Sequence, residues 1–235
     1  PVAVPFVGNY TEEKIKKVMQ ILKEDFAGFD AQLIIMDVVP WMLPYYEASG
    51  IQFEIEDNRD YMDYTFTPEQ FLAGMDMQDD RYRYNYFKRR FAYETEEITP
   101  FHREEIREFM EREWCGEKTC EECHCGCLLR VIDNLVPVFD KIRINGILVR
   151  VEGKMAGLCI VSCRNGLGVY QYKNAVNRIK GINEYLLRES FERYLQSADT
   201  INYTEDMGVE NLRYYKEHMA PAHTLLSKLT LTERG

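Results

Sequence analysis

The first and last quarters of this 235-residue chain carry the same order of apolar patterning, and that order leaves few architectures open. Residues 2–7 form an apolar run. Thr11 then stands where a helix begins, with Glu12 and Glu13 in the first turn. A hydroxyl there can cap free amides, and carboxylates suit the positive end of the helix. Ile15, Val18, Met19, Leu22 and Phe26 recur at helical spacing. Residues 32–39 read as a buried strand, 40–49 as a short helix stopped by Gly50, and 53–66 as extended segments broken at Asn58. The last quarter repeats the order: a strand over 168–176, a helical stripe of Ile182, Leu186, Leu187, Phe191, Tyr194 and Leu195, a strand over 200–203, a helix over 208–219 and a strand over 225–232. Strands alternating with helices make an α/β protein. No sequence identity links the two quarters, so the repeat is one of pattern.

Between them, Thr99 and Pro100 open a helix with the stripe Ile106, Phe109, Met110 and Trp114. Leu129, Ile132, Leu135, Val136 and Phe139 mark the next, and a hairpin turns at Glu152–Gly153–Lys154. The expected division is residues 1–75, a half shortened at its start, and residues 76–235. No apolar run approaches the roughly 18 residues that a membrane span needs. A formal net charge of −10 argues against general affinity for nucleic acid or anionic membranes. Seven cysteines without a recognisable leader suggest a reducing, cytoplasmic setting.

Chemistry concentrates in residues 201–221, INYTEDMGVENLRYYKEHMAP. Glu205 and Asp206 follow a strand, Gly208 opens a helix, and Arg213 and Lys216 lie one turn apart on it. A strand end of this kind is where α/β proteins hold charged ligands. A carboxylate can take an acceptor's proton and a cation can steady a developing oxyanion. The plainer reading has Asp206 as a helix cap; since Asn caps as well as Asp, Asp206→Asn would then spare stability, and Lys216→Ala on an exposed helix would cost well under ~1 kcal/mol.

The pattern Asn202, Glu205, Asp206, Gly208, Leu212, Arg213, Lys216 and Pro221 resembles the end of the C-terminal domain of bacterial phosphatidylglycerol lysyltransferases and their free-standing relatives. The family's basic helix is similar to residues 81–91, RYRYNYFKRRF, where Asn85 fits and Tyr84 replaces the usual arginine. The resemblance implies a tandem acetyltransferase-like fold, with mixed α/β sheets and flanking helices. It also implies kinship with enzymes that move an amino acid from aminoacyl-tRNA to a lipid or peptide. Catalytic roles fall on Asp206, Glu205, Lys216 and Arg213, and substrate contacts on Asn202, Asn85, Arg83 and Arg89.

In the acetyltransferase superfamily a pyrophosphate sits on the amides of a helix start, in a pattern met here by Arg178, Gly181 and Asn183. Asn183 departs from the small residue usual in that place, which disfavours ordinary coenzyme A and leans toward aminoacyl-tRNA. An acyl-CoA or an aminoacyl-tRNA is therefore the expected donor. A small molecule, a lipid headgroup or a tRNA acceptor end is the expected partner. The run Arg81, Arg83, Lys88, Arg89 and Arg90, interleaved with tyrosines, reads either as a solvated helix face or as a docking patch for phosphate.

Cys115, Cys120, Cys123, Cys125 and Cys127 crowd into thirteen positions, with one CxxC pair. They can wrap a structural zinc or stand as reduced thiols. Two functions follow from these features: an acyl- or aminoacyl-transferase, or a non-catalytic ligand-binding or metal-stabilised interaction protein on a degenerate transferase fold.

Overall fold

The structure, a computed structural model, describes residues 2–3, 5, 9–28, 32–115, 128–219 and 223–234. The chain forms two compact units rather than dividing once near residue 75. One comprises Pro1–Tyr64, Glu205–Lys216 and Thr224–Gly235; the other comprises Thr65–Thr204 and Glu217–His223.

The first unit is a four-stranded sheet of β1 (Val2–Ala3), β2 (Ile34–Val38), β3 (Phe53–Asp57) and β11 (Leu229–Glu233), in the order β1-β2-β11-β3. β1 runs parallel to β2, and β11 runs antiparallel to both of its neighbours, with Leu231 opposite Ile35 and Ile55. Helix α1 (Glu12–Phe26) begins as its sequence predicts, with the Lys14 amide donating to the Thr11 hydroxyl at 3.3 Å. It lays Ile15 and Met19 on Ile35, Val38, Leu229 and Leu231; Tyr46 of the short α2 (Leu43–Glu47) joins them. Each such fully buried aliphatic side chain contributes about 1.5–3 kcal/mol by leaving water. β11 belongs to this sheet, so the last quarter of the sequence does not fold as a copy of the first. Its apolar alternation marks a strand but carries no information about which sheet the strand joins.

The second unit carries β4 (Asp63–Phe66, whose first two residues belong to the first unit), α3 (Pro68–Met75), α4 (Gln78–Arg90), β5 (Tyr93–Glu97), α5 (Arg103–Met110), α6 (Leu128–Leu135), β6 (Asn145–Val151), β7 (Lys154–Arg164), β8 (Leu167–Ala175), α7 (Ile182–Ser190) and β9 (Thr200–Asn202). Its strands lie in the order β4-β9-β8-β7-β6-β5, all antiparallel except β8 and β9. The remaining strand and α-helix are β10 (Thr224–Leu226) and α8 (Glu210–Met219).

Two details position a site. The parallel pairing of β8 with β9 ends at Val169 opposite Asn202, so β8 runs on without β9. Just beyond, Tyr170 faces Val161 and Tyr172 faces Ile160, leaving Gln171 as an extra residue. Such a bulge reverses the alternation of everything after it. Tyr170 donates to the Leu187 carbonyl of α7 at 2.8 Å, whereas Tyr172 turns to Met110 of α5 at 3.1 Å. Lys173 therefore returns to the α7 face.

Candidate functional site

Two constellations of charged groups stand out, one in each unit. In the first unit Asp206 is fully buried. Its carboxylate accepts from Arg59 Nη1 at 3.0 Å, Tyr64 Oη at 2.8 Å, the Gly208 amide at 3.0 Å, and Arg213 Nε and Nη2 at 3.0 and 2.9 Å. Burial pushes its pKa up, but the bonds from Arg213, Tyr64, Gly208 and Arg59 outweigh it and hold the group well below the usual carboxylate range. Such a carboxylate is an anchor for cations and a weak base.

Arg213 also binds Asp60. Gly208 permits that approach: a Cβ there would lie 2.8 Å from Asp60 Oδ2, and the backbone has φ +71°. Lys216 is 3% exposed; its ammonium donates to the Glu205 carbonyl at 2.7 Å and lies 5.6 Å from the Tyr64 ring centre. The Glu205 side chain is 3.5 Å from Lys228, which pairs with Asp63 at 2.8 Å. The four residues read as catalytic thus share one network. Arg59 and Asp60, in the turn between β3 and β4, and Tyr64, on β4, complete it and carry no local pattern that marks them.

In the second unit the bulge sends Lys173 to α7, where its ammonium donates to Asn183 Oδ1 at 2.7 Å. Gly181 caps α7 at φ +89°, and a Cβ there would fall 2.1 Å from the Arg83 carbonyl. Only glycine lets the start of α7 meet α4 this closely. The contact places Arg83 3.2 Å from Glu184, which is 9% exposed. Asp80 of α4 feels the same group: burial first, then the Glu184 charge, raise its pKa to about 6, against the opposing pull of Arg83 and Lys173. Burial lowers the pKa of Lys173, with Cys159, Glu184 and Asp80 countering. Burial also raises Cys159, to about 11, and Tyr203. Carboxyl and amine pKa values drawn toward neutrality in one cluster are what acid–base chemistry requires. Arg83, Gly181 and Asn183 are brought together here as substrate-contact candidates. Lys173, Asp80 and Glu184 join them unforeseen, although a lysine inside an apolar strand is itself a signal.

The other candidates lie apart. Asn202 accepts the Thr204 amide at 2.7 Å and shapes the turn after β9. Arg178 is mostly exposed and 3.5 Å from Glu113. Asn85 and Arg89 are exposed on α4 and bonded to each other only through the Asn85 carbonyl, at 3.2 Å. Cys120, Cys123, Cys125 and Cys127, with the side chain of Cys115, lie outside the described residues. Among the described residues no group of three or more His, Cys, Asp or Glu is placed to hold a metal ion.

Residues 3–227 match the family described as phosphatidylglycerol lysyltransferase, C-terminal. The chain belongs to that family. Among solved structures, a conserved protein of unknown function from Bacteroides thetaiotaomicron is similar with a TM-score of 0.78 at 24% identity, covering 99% of this chain and 79% of that one. The L-PGS of Bacillus licheniformis gives 0.67 at 14%, covering 100% and 78%, and FemX gives 0.61 at 10%, covering 97% and 79%. A tandem GNAT protein from the clavulanic acid biosynthesis pathway gives 0.54 at 11%, covering 92% and 68%. At these identities the likeness is one of fold, and the fold is the tandem acetyltransferase-like α/β arrangement. No curated protein matches the sequence. Among the described residues no helix is long and apolar enough to cross a membrane.

Proposed function

We propose that this domain transfers an aminoacyl group from aminoacyl-tRNA to the hydroxyl or amine of an acceptor, and that the chemistry is carried by the Lys173 cluster of the second unit. The observation that supports this most is the placing of Lys173, by the Gln171 bulge, beside Asn183 and near Asp80 and Glu184, in a family whose resemblance implies aminoacyl transfer.

In this reading the acceptor attacks the ester carbonyl carbon. Lys173 donates to the oxyanion that develops. Asp80, its pKa raised to about 6, takes the acceptor's proton and returns it to the ribose oxygen as the ester bond breaks, so that the ribose leaves as a neutral hydroxyl. Glu184, held by Arg83, faces the ammonium of the aminoacyl group. In the first unit, Asp206 holds Arg59 and Arg213 in place. Asp206 is assigned that anchoring role, since its donors already occupy the lone pairs a base would need.

The test is a transfer assay with radiolabelled aminoacyl-tRNA against phosphatidylglycerol vesicles, soluble amines and peptides. Label moving to one acceptor class supports the reading and names the acceptor. Label released only as free amino acid in every arm, at the rate seen without protein, favours the binding-protein alternative.

A further inference from the structure

We propose that the outward face of α4 docks RNA, pairing backbone phosphates with Arg81, Arg89 and Lys180 and stacking a base on Tyr82. The source of that RNA rests on the aminoacyl-tRNA reading above; the surface itself is read from the second unit alone. Arg81, Asn85 and Arg89 stand four residues apart and exposed, one stripe rising about 6 Å per step along the helix. Beside it lie Tyr82, 51% exposed, and Tyr86, with ring centres 6.2 Å apart. The ammonium of Lys180 lies 4.8 Å and 5.2 Å from those two centres, which fixes a cation against the tyrosine faces.

Helix electrostatics account for part of this charge. Lys88, Arg89 and Arg90 fall in the last turn, where the helix dipole favours cations. Arg81 sits near the opposite end, where the dipole opposes it, and Lys180 is not on the helix. Several arginines elsewhere in the unit are paired, as Arg103 is with Asp133, Arg150 with Glu105 and Arg188 with Asp76. Among the described residues no carboxylate pairs with Arg81, Arg89, Arg90 or Lys180. In a chain of net charge −10, a cationic stripe left uncompensated beside exposed rings suits an anionic strand that also offers flat faces. α4 has no aliphatic residue, so it lacks what a membrane-seated helix buries.

The experiment measures binding of a fluorescent RNA hairpin ending in a single-stranded CCA, by anisotropy across a salt series, for wild type, R81Q/R89Q, K180Q and Y82A. Anionic vesicles serve as the second probe, and melting curves check folding. R81Q/R89Q is expected to bind more than tenfold more weakly and to flatten the log–log salt slope by about 1.4, at ~0.7 per lost single-strand phosphate contact. Y82A is expected to bind roughly tenfold more weakly with the slope unchanged. Unchanged RNA binding in all three variants, or a loss confined to vesicles, overturns the proposal. If the variants keep the wild-type KM for aminoacyl-tRNA, the docking surface fails while the transferase reading stands. If wild type transfers nothing yet the variants lose RNA, the transferase reading fails and the surface stands.

Discussion

Arg213 grips Asp206 through two nitrogens, Nε at 3.0 Å and Nη2 at 2.9 Å, and the carboxylate it grips has no exposed surface. This pair ties the start of α8 to the turn that precedes it. Arg59, from the turn ahead of β4, and Tyr64, on β4 itself, close on the same oxygen, Oδ2. The arrangement changes what a substitution at Asp206 should do. A mere cap would tolerate asparagine, whereas an amide cannot neutralise two guanidinium groups.

Asp206→Asn is therefore expected to destabilise the protein by about 3–5 kcal/mol, the usual result of removing one partner from a buried ion pair. Urea denaturation at pH 7 measures it. Because the folded-state pKa of Asp206 is depressed, its stabilisation is present above the unfolded value near ~3.9 and is lost as pH falls below that. The gap between wild type and variant should narrow steadily below pH 4. A loss under 1 kcal/mol at neutral pH would reduce Asp206 to a cap.

Lys216→Ala follows the same logic. At 3% exposure, with its ammonium on the Glu205 carbonyl, Lys216 is part of the interior. Its removal leaves the part-buried Glu205 carbonyl short of a donor, at a cost of about 1 kcal/mol. Calorimetric melting that finds no change would mean that the ammonium contributes nothing net.

Gly181→Ala combines two penalties, a side chain at φ +89° and a Cβ driven against the Arg83 carbonyl. Backbone strain of this kind costs about 1–3 kcal/mol before the clash is counted. Hydrogen exchange should show the first turn of α7 and the middle of α4 losing protection together, while α1 is unaffected.

Asp80→Asn is predicted to act in the opposite direction from Asp206→Asn. A carboxyl whose pKa is raised to about 6 is penalised once it ionises, so stability falls as pH rises from the unfolded value near ~3.9 through 6. Asparagine escapes that penalty. The variant should match wild type at pH 4 and melt higher at pH 7.5, by a margin on the order of 1 kcal/mol once solvent screening of this half-buried group is allowed for.

Much of this molecule was legible in its residues. Thr11 with Glu12 and Glu13 announced α1, and the stripes of α5 and α7 and the hairpin β6–β7 lie where apolar spacing puts them. Family membership was legible in the stretch from Asn202 to Pro221. Periodicity is a local signal, so it could find β11 without showing that the strand joins β2 and β3. It also could not foresee the bulge at Gln171. Plain alternation puts Tyr170, Tyr172 and Asn174 on one face, and one extra residue gives Lys173 to α7 instead. The partners of Asp206 were hidden for a related reason: Arg59 and Tyr64 meet it across more than a hundred residues of chain.

The most direct test of the account is single-turnover transfer of labelled amino acid from aminoacyl-tRNA, comparing wild type with Lys173→Met. The substitution keeps side-chain length and removes the charge at the bulge. The account predicts a fall in rate of about a hundredfold or more, as when a donor to a developing oxyanion is removed, with melting temperature and RNA affinity held near wild type. A folded Lys173→Met protein that transfers at the wild-type rate would contradict it and place the chemistry outside the Lys173 cluster.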